Sequence, residues 1–179
     1  MATYINVEIK AKCFRPQQVE AFLLGANAHF MGTDHQADTY FNCPNGRLKL
    51  RRGNIENNLI FYSRPDSKGP KQSTFQLTPV ADGDAMQALL THALGVKITV
   101  TKKRRIYYLQ NVKVHLDELE GLGSFVEIEA GNITDPTKTV EQLQAQCNAL
   151  MVAFGIEESH LIDNSYSDMV EAGLFDAGR

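Results

Sequence analysis

The sequence predicts an α+β fold built on a large antiparallel sheet or barrel, with long helices packed against it. Three observations carry that prediction. The apolar pattern switches back and forth between a period of two, the strand repeat, and 3.6, the helix repeat. The extended runs number about eight and are joined mostly by hairpin-like turns. No linker, low-complexity tract or fixed repeat interrupts them, so 1–179 reads as a single domain of ordinary size.

The elements follow in order. Residues 4–13 alternate Asn6, Glu8, Lys10, Lys12 against Val7, Ile9, Ala11, as a strand does. In RPQQVEAFLLGANA the proline suits a first helical turn, and Val19, Phe22, Leu23 and Ala26 make one apolar face, which predicts a helix over 16–28. DHQADTYFNCPNGRLKLRRG gives two short strands around the turn Cys43-Pro44-Asn45-Gly46. The runs 59–63 and 73–79 form a further pair across the loop RPDSKGPKQ. Asp82 is an N-cap for a helix to Leu94 with Ala85, Leu89 and Leu90 inward. Strands over 97–109, 112–119 and 124–130 turn at Gln110-Asn111 and Gly121-Leu122-Gly123. A second long helix covers 137–154, its buried stripe being Leu143, Cys147, Leu150, Met151 and Phe154.

Composition narrows the class. The chain is 43% hydrophobic and 22% charged, with 18 basic and 21 acidic residues, so a bulk nucleic-acid binder is not expected and any basic site must be local. Cys13, Cys43 and Cys147 have no paired spacing and read as free thiols. No apolar run is long enough to span a membrane and no signal segment opens the chain, so a cytoplasmic location is expected.

The polar positions of the strands are more informative. Alternation puts each of these rows on one face: Glu8/Lys10/Lys12, Arg47/Lys49/Arg51, Lys102/Arg104, Lys113/His115/Asp117 and Glu127/Glu129. The residues between them are mostly Val, Ile, Leu or Phe. For a single strand this pattern marks a solvated face. Rows on five strands suggest instead a curled sheet with its polar face inside, lined by cations and carrying carboxylates at one place. Inward charges are costly unless compensated, and converging Lys and Arg suit phosphate oxygens. Carboxylates beside phosphates in turn suggest a hard divalent cation, Mg²⁺ or Mn²⁺.

These residues resemble the CYTH superfamily, the triphosphate tunnel proteins. NVEIKAK resembles its Glu-x-Glu-x-Lys signature, and QADTYF, LKLR, the loop RPDSKGPKQS, the run from Lys102 to Tyr107, VHLDELEGLGSFVEIE and SYSDM follow in the family's order from residue 6 to about 169. The VHLDELEGLGSFVEIE run is most similar to the class IV adenylyl cyclase-like branch. The resemblance implies a closed eight-stranded antiparallel β-barrel with flanking helices. It also implies an enzyme that binds a nucleoside triphosphate or other triphosphate with Mg²⁺ or Mn²⁺, either an adenylyl cyclase or a triphosphatase, with a non-catalytic binder as the third reading and a homodimer as the family's assembly. By the same resemblance the catalytic residues are Glu8, Lys10 and Asp117. Asp117 and Glu127 are also open to structural ion pairs with the basic rows. The phosphate ligands are Lys10, Lys49, Arg51, Arg64, Lys102 and Arg104, and the metal ligands Glu8, Glu127 and Glu129. Parity leaves Lys103/Arg105 open against Lys102/Arg104. Two positions depart from the pattern: Asn6 replaces the first signature glutamate, and Ser63 stands where a lysine is expected, with Arg64 and Lys71 as its substitutes.

Overall fold

The computed structural model describes residues 4–63, 71–132 and 135–173. Eight strands occur in the order β1 (Tyr4–Lys12), β2 (His29–Phe41), β3 (Arg47–Arg52), β4 (Asn58–Ser63), β5 (Lys71–Pro79), β6 (Val96–Leu109), β7 (Val112–Leu119) and β8 (Gly123–Gly131). Helices α1 (Pro16–Gly25), α2 (Gly83–Leu94), α3 (Val140–Ala153) and α4 (Tyr166–Glu171) are set between and after them. All pairings are antiparallel. The spatial order is β1-β5-β4-β3-β2-β6-β7-β8, and β1 pairs with both β5 and β8, so the order returns on itself as a ring.

Alternation decides what faces each side. Val7, Ile9 and Ala11 of β1, Val114 and Leu116 of β7 and Val126 and Ile128 of β8 point outward and are buried under Val19 and Leu23 of α1 and Leu143, Cys147 and Leu150 of α3. Leu50 of β3 and Phe41 of β2 pack with Leu90 of α2. The apolar core therefore lies outside the ring, beneath the helices, and the intervening polar rows are left to the interior. At one end of that interior Tyr166 and Met169 of α4 pack with Tyr40, Val100 and Phe125.

The helices start where their caps are. Asp82 accepts from the Ala85 amide at 2.9 Å. Thr139 and Gln142 form a reciprocal capping box on α3, and Ser165 with Asp168 forms one on α4. Three expectations need correction. β2 begins at His29 and runs 13 residues, because a bulge between Phe30 and Gly32, with Gly32 at φ 127°, breaks the alternation that would have marked its first half. α2 turns Met86 and Leu90 inward, whereas Leu89 is 63% exposed and Ala85 is also exposed. Phe22 is 40% exposed and meets the Phe154 ring edge-on at 5.5 Å.

Candidate active site

A cavity of about 220 Å³ occupies the interior of the ring. Six cations line it, Lys10, Lys49, Arg51, Lys102, Arg104 and Lys113, together with five carboxylates, Glu8, Asp38, Glu56, Glu127 and Glu129. Eight of the ten sequence-derived site residues are therefore brought to one place. Of the other two, Arg64 lies outside the described residues, and Asp117 is buried behind Arg104 without lining the cavity. The parity question is resolved on β6: Lys102 and Arg104 are buried inside, while Lys103 pairs with Glu118 and Arg105 with Glu20 outside the cavity lining.

The expected cationic tunnel with acids at one place is corrected by two carboxylates the sequence reading did not assign. Asp38 on β2 receives Arg51 through Nε and Nη2, both at 2.9 Å, Lys102 Nζ at 2.8 Å and Lys49 Nζ at 3.2 Å. Glu56 receives Arg51 Nη1 at 2.8 Å and also binds Lys113. The cations are thus already paired, as burial requires. Arg51, Lys102 and Lys49 hold the Asp38 carboxyl well below the usual range despite the desolvation that opposes it.

Glu56 stands on an irregular segment, not on a strand, and Asp34 places it there. The Asp34 carboxylate, fully buried, accepts the amides of Ile55 at 2.9 Å and Glu56 at 3.0 Å, and the Gln36 side chain at 2.8 Å. A Cβ on Gly53 would fall on that same carboxylate, so the close approach needs glycine.

A second cluster is centred on Arg104, two residues along β6 from Lys102. Arg104 donates to Asp117 through Nε at 2.7 Å and Nη2 at 2.6 Å, and Nη2 also reaches Glu127 at 2.6 Å. Tyr166 donates its hydroxyl to Asp117 at 2.8 Å, and its ring lies 3.7 Å from Lys10 Nζ. With these bonds made, Asp117 orients Arg104 and is buried. Lys10 pairs with Glu127 at 3.0 Å. His115 Nδ1 lies 3.3 Å from Glu127 and 3.6 Å from Glu129. Burial, reinforced by Arg104, lowers the His115 pKa, which keeps the imidazole neutral and able to offer a lone pair.

One ligand atom from each of His115, Glu127 and Glu129 lies within 4.8 Å of the others. Glu8 is the cross-strand neighbour of Glu129 and lines the same cavity. Hard carboxylate oxygens with one imidazole fit a divalent cation of the Mg²⁺ or Mn²⁺ class. Asn6, the departure from the signature, is on the same face of β1 and lines the cavity opposite Gly131, whose added Cβ would meet the Asn6 amide oxygen.

The CYTH domain family matches residues 4–166, which includes every strand of the ring. The chain belongs to the CYTH family. Among CYTH relatives, adenylate cyclase CyaB of Aeromonas hydrophila is 27% identical over 181 residues, covering 94% of this chain and 90% of that protein. The PH1012 protein of Pyrococcus horikoshii shares the fold with a TM-score of 0.75 at 23% identity, covering 91% of this chain and 98% of that one. HpAC1 from Hippeastrum, described as having a dominant triphosphatase activity, shares it with a TM-score of 0.61 at 14% identity, over 94% and 96% of the two chains.

Lys102 supplies a pH prediction. Burial, with the repulsion of Arg104, Arg51 and Lys49 added, outweighs the attraction of Asp38 and brings its pKa down to about 7. At pH 8 most of Lys102 is neutral, and a polyanion bound beside it would restore the ammonium. Tripolyphosphate binding at pH 8 is therefore expected to take up protons, and affinity to fall as pH rises above 7. Titration calorimetry in two buffers of different ionisation enthalpy reads the uptake directly; equal heats in both would count against it.

Proposed function

We propose that the cavity holds the triphosphate of ATP with a divalent cation and that the protein is a class IV adenylyl cyclase-like enzyme, forming cyclic AMP and pyrophosphate. The observation that carries this reading is the convergence of six cations on one cavity inside the ring beside His115, Glu127 and Glu129. Positioning and charge neutralisation are what such a site offers a phosphoryl group. The CyaB relative supports the cyclase, and CYTH enzymes are generally divalent-metal dependent.

In this reading Lys10, Lys49, Arg51, Lys102 and Arg104 hold the phosphate oxygens. Asp38 and Asp117 keep Arg51, Lys102 and Arg104 paired and oriented in the ligand-free protein. Glu8, Glu127 and Glu129, with His115 beside them, would hold the cation, Mg²⁺ or Mn²⁺, which when bound would supply neutralisation of phosphate charge. The ribose 3′-oxygen bonds to the α-phosphorus, the bond from that phosphorus to the bridging oxygen breaks, and the hydroxyl proton passes to a cavity carboxylate. The same ground state admits a hydrolase, in which water attacks the terminal phosphorus.

Incubating pure protein with ATP, tripolyphosphate or thiamine triphosphate and Mg²⁺ or Mn²⁺ separates the outcomes. Cyclic AMP and pyrophosphate in equal amounts are expected from ATP. Orthophosphate without cyclic AMP would replace the cyclase by a hydrolase, and tight binding without turnover would make the protein a binder.

A further inference from the structure

The cavity walls differ in character. β1 and β8, β6 and β7, and β2 and β3 each bring charged side chains to it, whereas the described side chains of β4 and β5 that line it are Asn58, Ile60, Tyr62, Phe75 and Leu77. Four of these are apolar or aromatic, and their registers make them contiguous: Ile60 is directly opposite Leu77, and Tyr62 opposite Phe75. They form a patch two strands wide and two residues tall on one face. Ile60 is 9% exposed and Tyr62 packs against the Tyr40 cluster, whereas Phe75 and Leu77 are half-buried and face the cavity. An inorganic polyphosphate would leave that apolar area uncovered.

The patch adjoins the phosphate cations. Lys49 is the cross-strand neighbour of Ile60, and its ammonium lies 5.6 Å from the Tyr62 ring and 5.7 Å from the Tyr40 ring. Asn58, opposite Arg51, adds a side-chain amide at the end of the same wall. An apolar surface within one strand spacing of a phosphate ligand, bordered by an amide that both donates and accepts, suits a flat heteroaromatic ring carried on a triphosphate through a short spacer.

We infer that the β4–β5 wall seats the base of a nucleoside triphosphate, so that Ile60, Tyr62, Phe75 and Leu77 make the protein selective for an organic over an inorganic triphosphate. This inference rests on the triphosphate reading of the cavity and assigns specificity within it. Titration calorimetry of the full chain with ATP, ribose 5-triphosphate and tripolyphosphate, each with Mn²⁺, tests it. ATP is expected to bind at least about tenfold more tightly than ribose 5-triphosphate, the discrimination usual for filling an apolar pocket. Leu77→Gln, which keeps bulk and removes the apolar surface, is expected to close most of that gap while tripolyphosphate affinity stays within about twofold. The ligand series on the unaltered protein stands alone should the variant fold poorly. Equal affinity for ATP and ribose 5-triphosphate overturns the base-binding wall and leaves the triphosphate site standing. Failure of all three to bind overturns the triphosphate site and the wall with it.

Discussion

Arg104→Ala is expected to lower the stability of the ligand-free protein by about 3–5 kcal/mol, the usual result of removing one partner from a buried ionic cluster. Arg104 is 2% exposed and is bonded to both Asp117 and Glu127. Without it Asp117 retains the Tyr166 hydroxyl and Glu127 retains Lys10, neither of which replaces a bidentate guanidinium. The pH dependence has a definite sign. Burial alone would raise both carboxyl pKa values, but Arg104, joined at Glu127 by Lys10, holds them below their ordinary range. Groups lowered in this way stabilise the fold above their unfolded pKa, near 4, and that stability is lost as pH falls through the folded values. The deficit of the variant is therefore largest at pH 7 and shrinks at acid pH. Urea unfolding at pH 7 and pH 4 measures it, and a deficit under about 1 kcal/mol at pH 7 would mean that the cluster is not load-sharing in this way.

Asp38→Asn is expected to cost about 3 kcal/mol in the ligand-free protein, again as a buried pair broken on one side. The substitution keeps the shape and removes the charge that Arg51, Lys102 and Lys49 share. Its distinctive consequence lies in the response to ligand. A triphosphate restores the missing negative charge among the same three cations, so the rise in unfolding temperature produced by saturating tripolyphosphate is expected to be larger in Asp38→Asn than in the native protein. Thermal unfolding with and without tripolyphosphate reads this, and a smaller rise in the variant would show that the Asp38 cluster is remote from the anion.

The sequence made much of the ring and its interior legible because strand alternation is a strict code. Glu8 and Lys10 on β1, Lys49 and Arg51 on β3, and Glu127 and Glu129 on β8 all face the cavity as their parity requires. Where the code lapses, so does the reading. Glu56 arrives on a segment with no period, set by the Asp34 carboxylate and the absence of a side chain at Gly53, and nothing local marks it as an interior residue. Asp38 was open to discovery: Asp34, Gln36 and Asp38 alternate on one face of β2, but the row carries no cation and was not counted with the others. Missing both gave a tunnel too cationic in expectation. Ile60, Tyr62, Phe75 and Leu77 also line the cavity, but they carry no charge, so a search for charged rows passes over them.

A triphosphate either enters this cavity and is held by its buried cations or it does not. Titration of the native protein and of Lys102→Ala and Arg51→Ala with tripolyphosphate in the presence of Mn²⁺ tests that most directly. Each variant removes a cavity cation that the native protein pairs with Asp38. The expected result is saturable binding by the native protein, weakened at least about tenfold in each folded variant, in line with loss of a charge-assisted bond. Unchanged affinity in both variants would contradict it.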